Sequence, residues 1–374
     1  MAGPTQKVLY ADIDLELSWS EAQLPQVERT KHVHALHPSL GKFIPQLVEA
    51  FLSRYFVAGE CLYDPFCGSG TALVEANAYG CDAVGCDISA FNCLLSSVKT
   101  RRYDHALLAA ELDGVLEQAL ASPAPRLEDA TPWLRRWYAR RALGELLAYR
   151  DAARELSPSG GDVARIVLSR AARSSRLTTH FDLDFPKAPV CEPYVCHKHK
   201  RVCRPVGEAA KFLRRYTRDT LRRLQAFADA QTGCPVQVLH ADSRGAELPV
   251  RPSGVVTSPP YPGLIDYHEQ HRYAYELLGL TDRRELEIGP ATAGRGRAAL
   301  AAYVGSMASV FLRVREALPA DAPVVIVVND THELYPSVLE GAGLRLDDRL
   351  RRHVNRRTGR RLGEFYEDVL ICRA

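Results

Sequence analysis

From residue 61 onward, short runs of apolar residues alternate with segments whose apolar positions recur at helical spacing. This alternation is typical of a parallel sheet with crossover helices. It predicts five buried strands and, near the end of the chain, two more strands that form a hairpin. The predicted fold class is therefore α/β, with a mostly parallel seven-stranded sheet and a terminal antiparallel hairpin. The predicted strands lie near residues 61–66, 82–87, 235–240, 253–258, 322–329, 344–354 and 364–372.

Helices are predicted between these strands, at Thr71 to Tyr79, 89–101 and 299–317. Gly80 follows the first helix and can end it in the left-handed conformation that glycine adopts easily. About 150 residues separate the second predicted strand from the third, far more than α/β units need, so this interval must hold an insertion. The insertion is partly helical. Thr131 and Pro132 favour a helix N-terminus, and another helix is predicted at 207–230. The predicted division of the chain is 1–103, the insertion 104–232, and 233–374.

The chain has 374 residues, of which 46% are hydrophobic and 25% charged, and this composition suits one large or two modest globular domains. No uninterrupted apolar run reaches the roughly 18 to 20 residues of a membrane span, and the first residues lack the pattern of a signal peptide. We therefore expect a cytoplasmic protein. The ten cysteines are scattered, which favours reduced core residues over a disulfide framework.

Positive charge is distributed unevenly along the chain, although the net charge is only +3. Residues 349–361 contain seven arginines and no acid, and 135–141, 197–204 and 214–223 are also arginine-rich. A basic surface favours an anionic partner. For each segment a solvated helix face is the alternative.

The sequence DPFCGSGT, which starts at Asp64, follows the first predicted strand and precedes a helix. Glycines at Gly68 and Gly70 let the backbone approach a ligand closely, and the helix N-terminus supplies unpaired N–H groups. Leu73 occupies the place of the third glycine in the dinucleotide fingerprint, which argues against a pyrophosphate-containing cofactor. Asp87 ends the next strand at a distance suited to two ribose hydroxyls. These residues favour a nucleoside ligand, with an ordinary strand-turn-helix as the alternative.

The sequence TSPPY lies where a later strand of the same sheet ends. Ligands of open α/β sheets bind at the carboxyl ends of the strands, so this segment and the glycine loop are expected to share one crevice. Pro259 and Pro260 make a stiff turn with exposed carbonyls. A carbonyl and the Ser258 hydroxyl are acceptors for a planar amine with two hydrogens. A proline turn without catalytic function is the alternative.

Together these two motifs resemble those of the S-adenosylmethionine-dependent amino-methyltransferases of DNA, which have a Rossmann-like class I methyltransferase fold. The resemblance implies that Asp64 and the 66–70 loop surround the methionyl part of the cofactor, and that Asp87 binds its ribose. It also implies that Asp242 binds near the adenine, although an aspartate at this point also suits a turn or cap. The cofactor-side residues that the resemblance implies are Asp64, Phe66, Gly68, Gly70, Thr71, Asp87 and Asp242.

The resemblance also assigns the catalytic motif, Ser258, Pro259, Pro260 and Tyr261. It implies that the Ser258 side chain and the Pro259 carbonyl hold the target amino group, while Tyr261 stacks on the base. Direct transfer of the methyl group then needs no covalent enzyme intermediate. Serine at the first position favours cytosine N4 over adenine N6.

The segment HPSLGKF also resembles this family, in which it precedes the first motif and helps to close the cofactor pocket. The implied cofactor-side residues are His37, Lys42 and Phe43, with Lys42 as a partner for the methionyl carboxylate. The following residues, 44–56, are expected to form an amphipathic helix that packs on the sheet.

The resemblance implies double-stranded DNA as the partner. A base flipped out of the duplex costs a few kcal/mol, which contacts to phosphates must offset. The acid-free segment is the leading candidate for these contacts, through Arg351, Arg352, Arg356, Arg357, Arg360 and Arg361. The sequence leaves open whether a cognate restriction endonuclease accompanies the protein. An RNA guanine-N2 methyltransferase and a noncatalytic DNA-binding protein are the alternatives.

The insertion also contains a group of cysteines and histidines that can be considered as zinc ligands, Cys191, Cys196, His197, His199 and Cys203. We predict no metal, because two clean Cys-x-x-Cys pairs are absent and the neighbouring basic residues equally suit a loop that faces DNA. If zinc binds, the predicted ligands are Cys191, Cys196, His199 and Cys203.

Overall fold

The computed structural model describes residues 17–19, 23–38, 43–121, 127–180, 182, 186–196, 198–263, 266–354 and 365–374. They form two compact units. The first contains Met1–Ile88, Gln231–Ile265 and Arg283–Ala374, and the second contains Ser89–Ala230 and Asp266–Asp282. The second unit thus takes in, beyond most of the predicted insertion 104–232, residues on its N-terminal side and a short later segment.

The first unit is built on a seven-stranded sheet with the spatial order β5-β2-β1-β6-β7-β9-β8. All pairs are parallel except β7 with β9 and β8 with β9, so the prediction of a mostly parallel sheet with a terminal antiparallel hairpin is confirmed. The strands are β1 (Cys61–Asp64), β2 (Asp82–Asp87), β5 (Val236–His240), β6 (Gly254–Thr257), β7 (Pro323–Val328), β8 (Arg345–His353) and β9 (Tyr366–Arg373).

Helices cover both faces of this sheet because its central strands are apolar on both sides. On β7, Val324 and Ile326 pack against one helical layer, while Val325 and Val327 pack against the other. Side chains alternate between faces along a strand, so a continuous apolar run such as this one fills two cores at once. The helices of the unit are α1 (Gln26–Arg29), α2 (Pro45–Tyr55), α3 (Thr71–Tyr79), α12 (Arg297–Ala317) and α13 (Tyr335–Ala342).

Helix α12 is the one described helix that is long and apolar enough to cross a membrane by length and composition alone. Its residues Tyr303, Met307 and Phe311 instead pack in the core of the unit, against one face of the sheet. Helix α3 ends at Gly80, whose φ of 91° confirms the predicted left-handed end.

The second unit is mainly helical, as predicted for the insertion. Thr131 caps the helix α6 (Pro132–Trp137) through its side chain, which accepts a hydrogen bond from the Leu134 N–H at 3.3 Å. Pro132 is the first helical residue, so both predictions are confirmed. A small antiparallel hairpin, β3 (Tyr194–Cys196) and β4 (Arg201–Cys203), lies between two of the helices in the chain. The helices are α4 (Ala90–Thr100), α5 (His105–Ala121), α6 (Pro132–Trp137), α7 (Arg140–Ala152), α8 (Pro158–Ser175), α9 (Ala210–Ala228), α10 (Tyr267–Gln270) and α11 (Arg272–Leu278).

Candidate active site

The carboxyl ends of three adjacent strands, β2, β1 and β6, bring the two sequence motifs together in the first unit. Asp64 ends β1 and Thr257 ends β6, and the Thr257 hydroxyl donates a hydrogen bond of 2.6 Å to the Asp64 carboxylate. This contact spans 193 residues of sequence. The glycine loop and the TSPPY turn therefore leave neighbouring strands side by side.

Asp64 is buried, and its carboxylate contacts residues of both motifs. Its Oδ1 also accepts the Phe66 N–H at 3.0 Å, which fixes the start of the glycine loop. Burial raises the pKa of Asp64 to about 7, although the hydrogen bonds from Thr257 and Phe66 oppose the rise. The raised pKa means that folding favours the protonated carboxyl.

Replacing Asp64 by Asn should therefore change how stability depends on pH. The folded-state pKa lies above the ordinary value of 3.8, so the contribution of Asp64 to the free energy of unfolding is lost as the pH rises toward 7. Asn keeps an acceptor but does not ionise. As the pH rises from 5 to 8, we expect the free energy of unfolding of Asp64→Asn to increase by about 2 to 3 kcal/mol relative to that of wild type. Denaturant unfolding of both proteins at the two pH values measures it, and an equal difference at both would contradict the raised pKa.

The glycine loop has the left-handed backbone that its glycines permit. Gly68 has a φ of 48° and Gly70 a φ of 77°, and Gly70 forms the N-terminal end of α3 with Thr71 as the first helical residue. The Gly68 N–H donates to Asp87 Oδ2 at 2.9 Å, so the loop is tied to the end of β2. Phe66 is half-buried, and its ring lies 6.4 Å from that of Phe311.

The absence of the third glycine of the dinucleotide fingerprint has a structural counterpart on β2. A Cβ on Gly85 would lie 2.5 Å from Leu73 Cδ1 and 2.9 Å from Cys67 Cβ. Gly85 thus provides the close approach of helix and strand that a glycine at position 73 provides in that fingerprint. No motif in the sequence indicated this role of Gly85.

The two predicted acidic residues beyond the loop have different surroundings. Asp87 is half-buried at the end of β2 and holds the loop through Gly68. Asp242 follows β5, and its two carboxylate oxygens accept hydrogen bonds of 2.6 to 3.0 Å from Arg244. Burial opposes the shift, but the Arg244 guanidinium keeps the pKa of Asp242 below its ordinary value. A role for Asp242 at the adenine stays a prediction.

Buried tyrosines that the sequence analysis missed hold the TSPPY turn from α12 and α13. The Tyr303 hydroxyl donates to the Pro260 carbonyl at 3.0 Å and lies 3.2 Å from the Tyr335 hydroxyl. In the described part of the chain, no hydrogen bond is found to the Ser258 side chain or the Pro259 carbonyl. These are the two groups that the resemblance assigns to the target amine.

Tyr261 is held by residues of the terminal hairpin. Its hydroxyl donates to Glu367 Oε1 at 3.1 Å, and Glu367 pairs with Arg352 across β8 and β9. Arg352 is only 4% exposed, lies 3.7 Å from Glu367 Oε2, and stacks over the Trp19 ring. The prediction that Arg352 contacts DNA is therefore wrong, because its guanidinium is buried between Glu367 and Trp19.

The other arginines predicted to contact DNA divide into two groups. Arg351 is exposed on β8 and lies over the Tyr366 ring at 4.8 Å, so its contact with DNA stays a prediction. Arg349 of the same segment pairs with Glu333 and Asp368, so the acid-free run meets acids from other elements. Arg356, Arg357, Arg360 and Arg361 lie outside the described residues.

The segment before the first motif is attached to helix α3. Buried Glu75 lies 2.6 Å from His34 Nε2 and pairs with Lys31 at 3.0 Å, an anchor that the sequence analysis missed. His37 is fully buried, with Nδ1 2.8 Å from the Pro38 carbonyl oxygen. Phe43 is 9% exposed and packs in the hydrophobic core. Cofactor roles for both stay predictions, and Lys42 lies outside the described residues.

The predicted zinc ligands come together only in part. Cys196, His199 and Cys203 lie close together in the second unit, and the fourth member of the group is His180. Cys191 is exposed and is not part of the group, so its inclusion was wrong. No sequence spacing indicated His180, which lies 16 residues before Cys196.

Comparison with known proteins gives one long match. No protein-family model matches the chain. The chain is similar to the type II methyltransferase M.MjaII of Methanocaldococcus jannaschii, with 35% identity over 96% of this chain and 83% of that protein. It is also similar to the type II methyltransferase M.MvaI of Kocuria varians, with 40% identity over 18% of this chain and 15% of that protein.

The similar solved structures include two methyltransferases. The rRNA methyltransferase aviRa of Streptomyces viridochromogenes is 15% identical, with coverage of 90% of this chain and 88% of that chain and a TM-score of 0.32. A SAM-dependent methyltransferase of Methanosarcina mazei is 8% identical, with coverage of 86% and 96% and a TM-score of 0.35.

Proposed function

Because the chain belongs to the type II methyltransferases, whose methyl donor is S-adenosylmethionine, we propose that it methylates the exocyclic N4 amine of a flipped cytosine in a specific sequence of double-stranded DNA. The observation that carries this proposal is the hydrogen bond between Thr257 and Asp64. It joins the turn with acceptors for an amine to the loop that suits a nucleoside donor. Both motifs then act in one site.

The residues around the glycine loop fit the cofactor. Asp87 offers a carboxylate at the end of β2, where two ribose hydroxyls can donate to it. Gly68 and Gly70 have no side chains to obstruct the approach of a ligand, and their left-handed backbone suits only glycine without strain. Asp64 lies behind the loop and fixes it. S-adenosylmethionine supplies an electrophilic methyl group on a sulfonium.

The TSPPY turn activates the amine by placing two hydrogen-bond acceptors beside it. An amino nitrogen conjugated with a ring is a poor nucleophile, because its lone pair is delocalised. When Ser258 Oγ and the Pro259 carbonyl each accept a hydrogen bond from one N–H group of the amine, the nitrogen lone pair is directed toward the methyl donor. The N–C bond would form as the S–C bond of the donor breaks, S-adenosylhomocysteine would leave, and the methylated amine would release its extra proton to water. Tyr261, whose hydroxyl donates to Glu367, is the residue that we propose stacks on the base.

The second unit carries a basic surface suited to the DNA backbone. Helix α9 has exposed basic residues at roughly helical repeats, and the β3–β4 hairpin adds more. Neutralising several phosphates gives the sequence-independent part of DNA affinity. The exposed basic residues of these two elements are Lys198, Lys200, Arg201, Arg204, Lys211, Arg214, Arg215, Arg218 and Arg222.

Serine at position 258 supports cytosine as the target, by the family resemblance of this motif. We propose that the protein acts in the cytoplasm. Adenine N6 is the nearest competing target, because its amine presents the same two N–H bonds to the turn.

The proposal is tested with purified protein, labelled S-adenosylmethionine and unmethylated duplex DNA. We expect label in DNA, and nucleoside analysis should find N4-methylcytosine. Finding N6-methyladenine would contradict cytosine as the target base but would still support the methylation of DNA. Label in RNA but not in DNA would contradict the substrate, and cofactor binding without transfer to either would favour a noncatalytic protein.

A further inference from the structure

Four side chains of types that commonly bind metals lie together at a small antiparallel hairpin of the second unit. The register of β3 and β4 places Cys196 and Cys203 on the same face, where they are 2% and 8% exposed. His199 comes from the turn of the hairpin, and His180 from the chain before it. The ligand atoms of all four residues lie within 4.8 Å of one another.

The distances between these atoms match the edges of a tetrahedral zinc site. Cys196 Sγ lies 3.6 Å from His180 Nδ1 and 3.7 Å from His199 Nδ1, and Cys203 Sγ lies 3.5 Å from His199 Nδ1. With Zn–S bonds of about 2.3 Å and Zn–N bonds of about 2.0 to 2.1 Å, a sulfur and a nitrogen ligand lie about 3.5 to 3.6 Å apart. Two cysteines with two histidines are a common donor set for structural zinc.

The hairpin has little else to stabilise it. Each strand has three residues, and Val195 and Val202, which pair across the hairpin, are 70% and 65% exposed. An isolated two-stranded hairpin is at best marginally stable in water. A metal bound to these four side chains would add free energy of folding, because the preformed set of ligands exists only in the folded chain.

Tyr194 provides an outer contact to one of the ligands. Its hydroxyl accepts the His180 backbone N–H at 3.1 Å and lies 2.9 Å from His180 Nδ1. A metal at Nδ1 replaces the second contact and leaves the first, which keeps the His180 backbone in place. Such outer contacts orient the ligands of a metal site.

We propose that His180, Cys196, His199 and Cys203 bind one zinc ion as a closed structural site, and that this ion fixes the basic β3–β4 hairpin. Four protein ligands leave no open position for substrate, so the site has no part in methyl transfer. Its ligand set differs from the one that the sequence suggested, because His180 replaces Cys191.

The first test is the metal content of the full-length protein, purified without chelators under reducing conditions and measured by mass spectrometry. We expect about one zinc per chain. Cys196→Ser and Cys203→Ser should lose most of it. Cys191→Ser is the matched control, because this cysteine is exposed in the same segment and lies outside the group, and it should keep its zinc. Wild-type protein that stays free of zinc after incubation with zinc salt would overturn the proposal.

Replacing His199 by Cys distinguishes a metal site from mere packing. A site of three cysteines and one histidine also binds zinc, so His199→Cys should retain about one ion per chain, whereas His199→Ala should not. With cobalt in place of zinc, His199→Cys should show stronger thiolate-to-metal absorption than wild type. An unchanged cobalt spectrum would show that His199 is not one of the metal ligands.

One consequence rests on the proposed function, namely that the hairpin contacts DNA. Removal of zinc by a chelator should then weaken DNA binding and leave the affinity for S-adenosylmethionine unchanged, because the cofactor residues belong to the first unit. Zinc present without any effect on DNA binding would keep the metal site and contradict only its role in DNA contact. DNA methylation by protein that binds no zinc would contradict the metal site and keep the proposed function.

Discussion

Ser258→Ala should lower the turnover number about 10²- to 10³-fold, the scale of losing one preorganised hydrogen-bonding group at a transition state. The amine would keep the Pro259 carbonyl as one acceptor but lose the other, so its lone pair would be less well directed. Affinity for S-adenosylmethionine should change little, because Ser258 lies on the turn and not on the glycine loop. Single-turnover methylation and calorimetry of cofactor binding measure the two effects separately.

The fold should tolerate this substitution, since no hydrogen bond to the Ser258 side chain is found in the described part of the chain. Ser309→Ala is a suitable control, because Ser309 is an exposed serine on α12 whose hydroxyl donates to the Gly305 carbonyl of the same helix. It should leave turnover unchanged. If Ser258→Ala weakened cofactor binding and spared turnover, the role of Ser258 would be misassigned.

Asp87→Ala should show the opposite pattern, with the dissociation constant for S-adenosylmethionine raised about 10- to 100-fold. The substitution removes a charged acceptor for the ribose hydroxyls and also the acceptor that holds the Gly68 N–H. Both losses act on cofactor binding before any chemistry. Turnover at saturating cofactor should fall much less than in Ser258→Ala.

Asp82→Ala is the matched control for Asp87→Ala. Asp82 lies on the same strand, β2, at the end opposite to the glycine loop. It should leave cofactor affinity unchanged while removing the same charge. Equal weakening by the two substitutions would mean that net charge, and not the position of Asp87, governs cofactor binding.

Much of the first unit was predictable because its signals are local. The predicted strand 82–87 matches β2, and the predicted helix Thr71 to Tyr79 matches α3 at both ends. Apolar runs and glycines report the backbone conformation of the residues that carry them. The end of β6 was predicted for the same reason, since the prolines of TSPPY cannot continue a central strand.

The contacts that hold the site were not predictable, because they join residues far apart in sequence. Tyr303 supports the turn from 43 residues away, and Glu367 supports Tyr261 from 106 residues away. Arg352 looked like its exposed neighbours in sequence, and only the packing against Trp19 shows that it is buried. His180 was missed for the same reason, since no short spacing links it to the cysteines.

The most direct measurement of the central claim is expression of the wild-type protein in cells without DNA methylation, followed by genome-wide mapping of modified bases. The map should show N4-methylcytosine at one position of one short DNA sequence. Parallel expression of Ser258→Ala should leave these positions unmodified or only partly modified. The absence of any modified base in cells that contain folded, S-adenosylmethionine-binding wild-type protein would contradict the claim that this site methylates DNA.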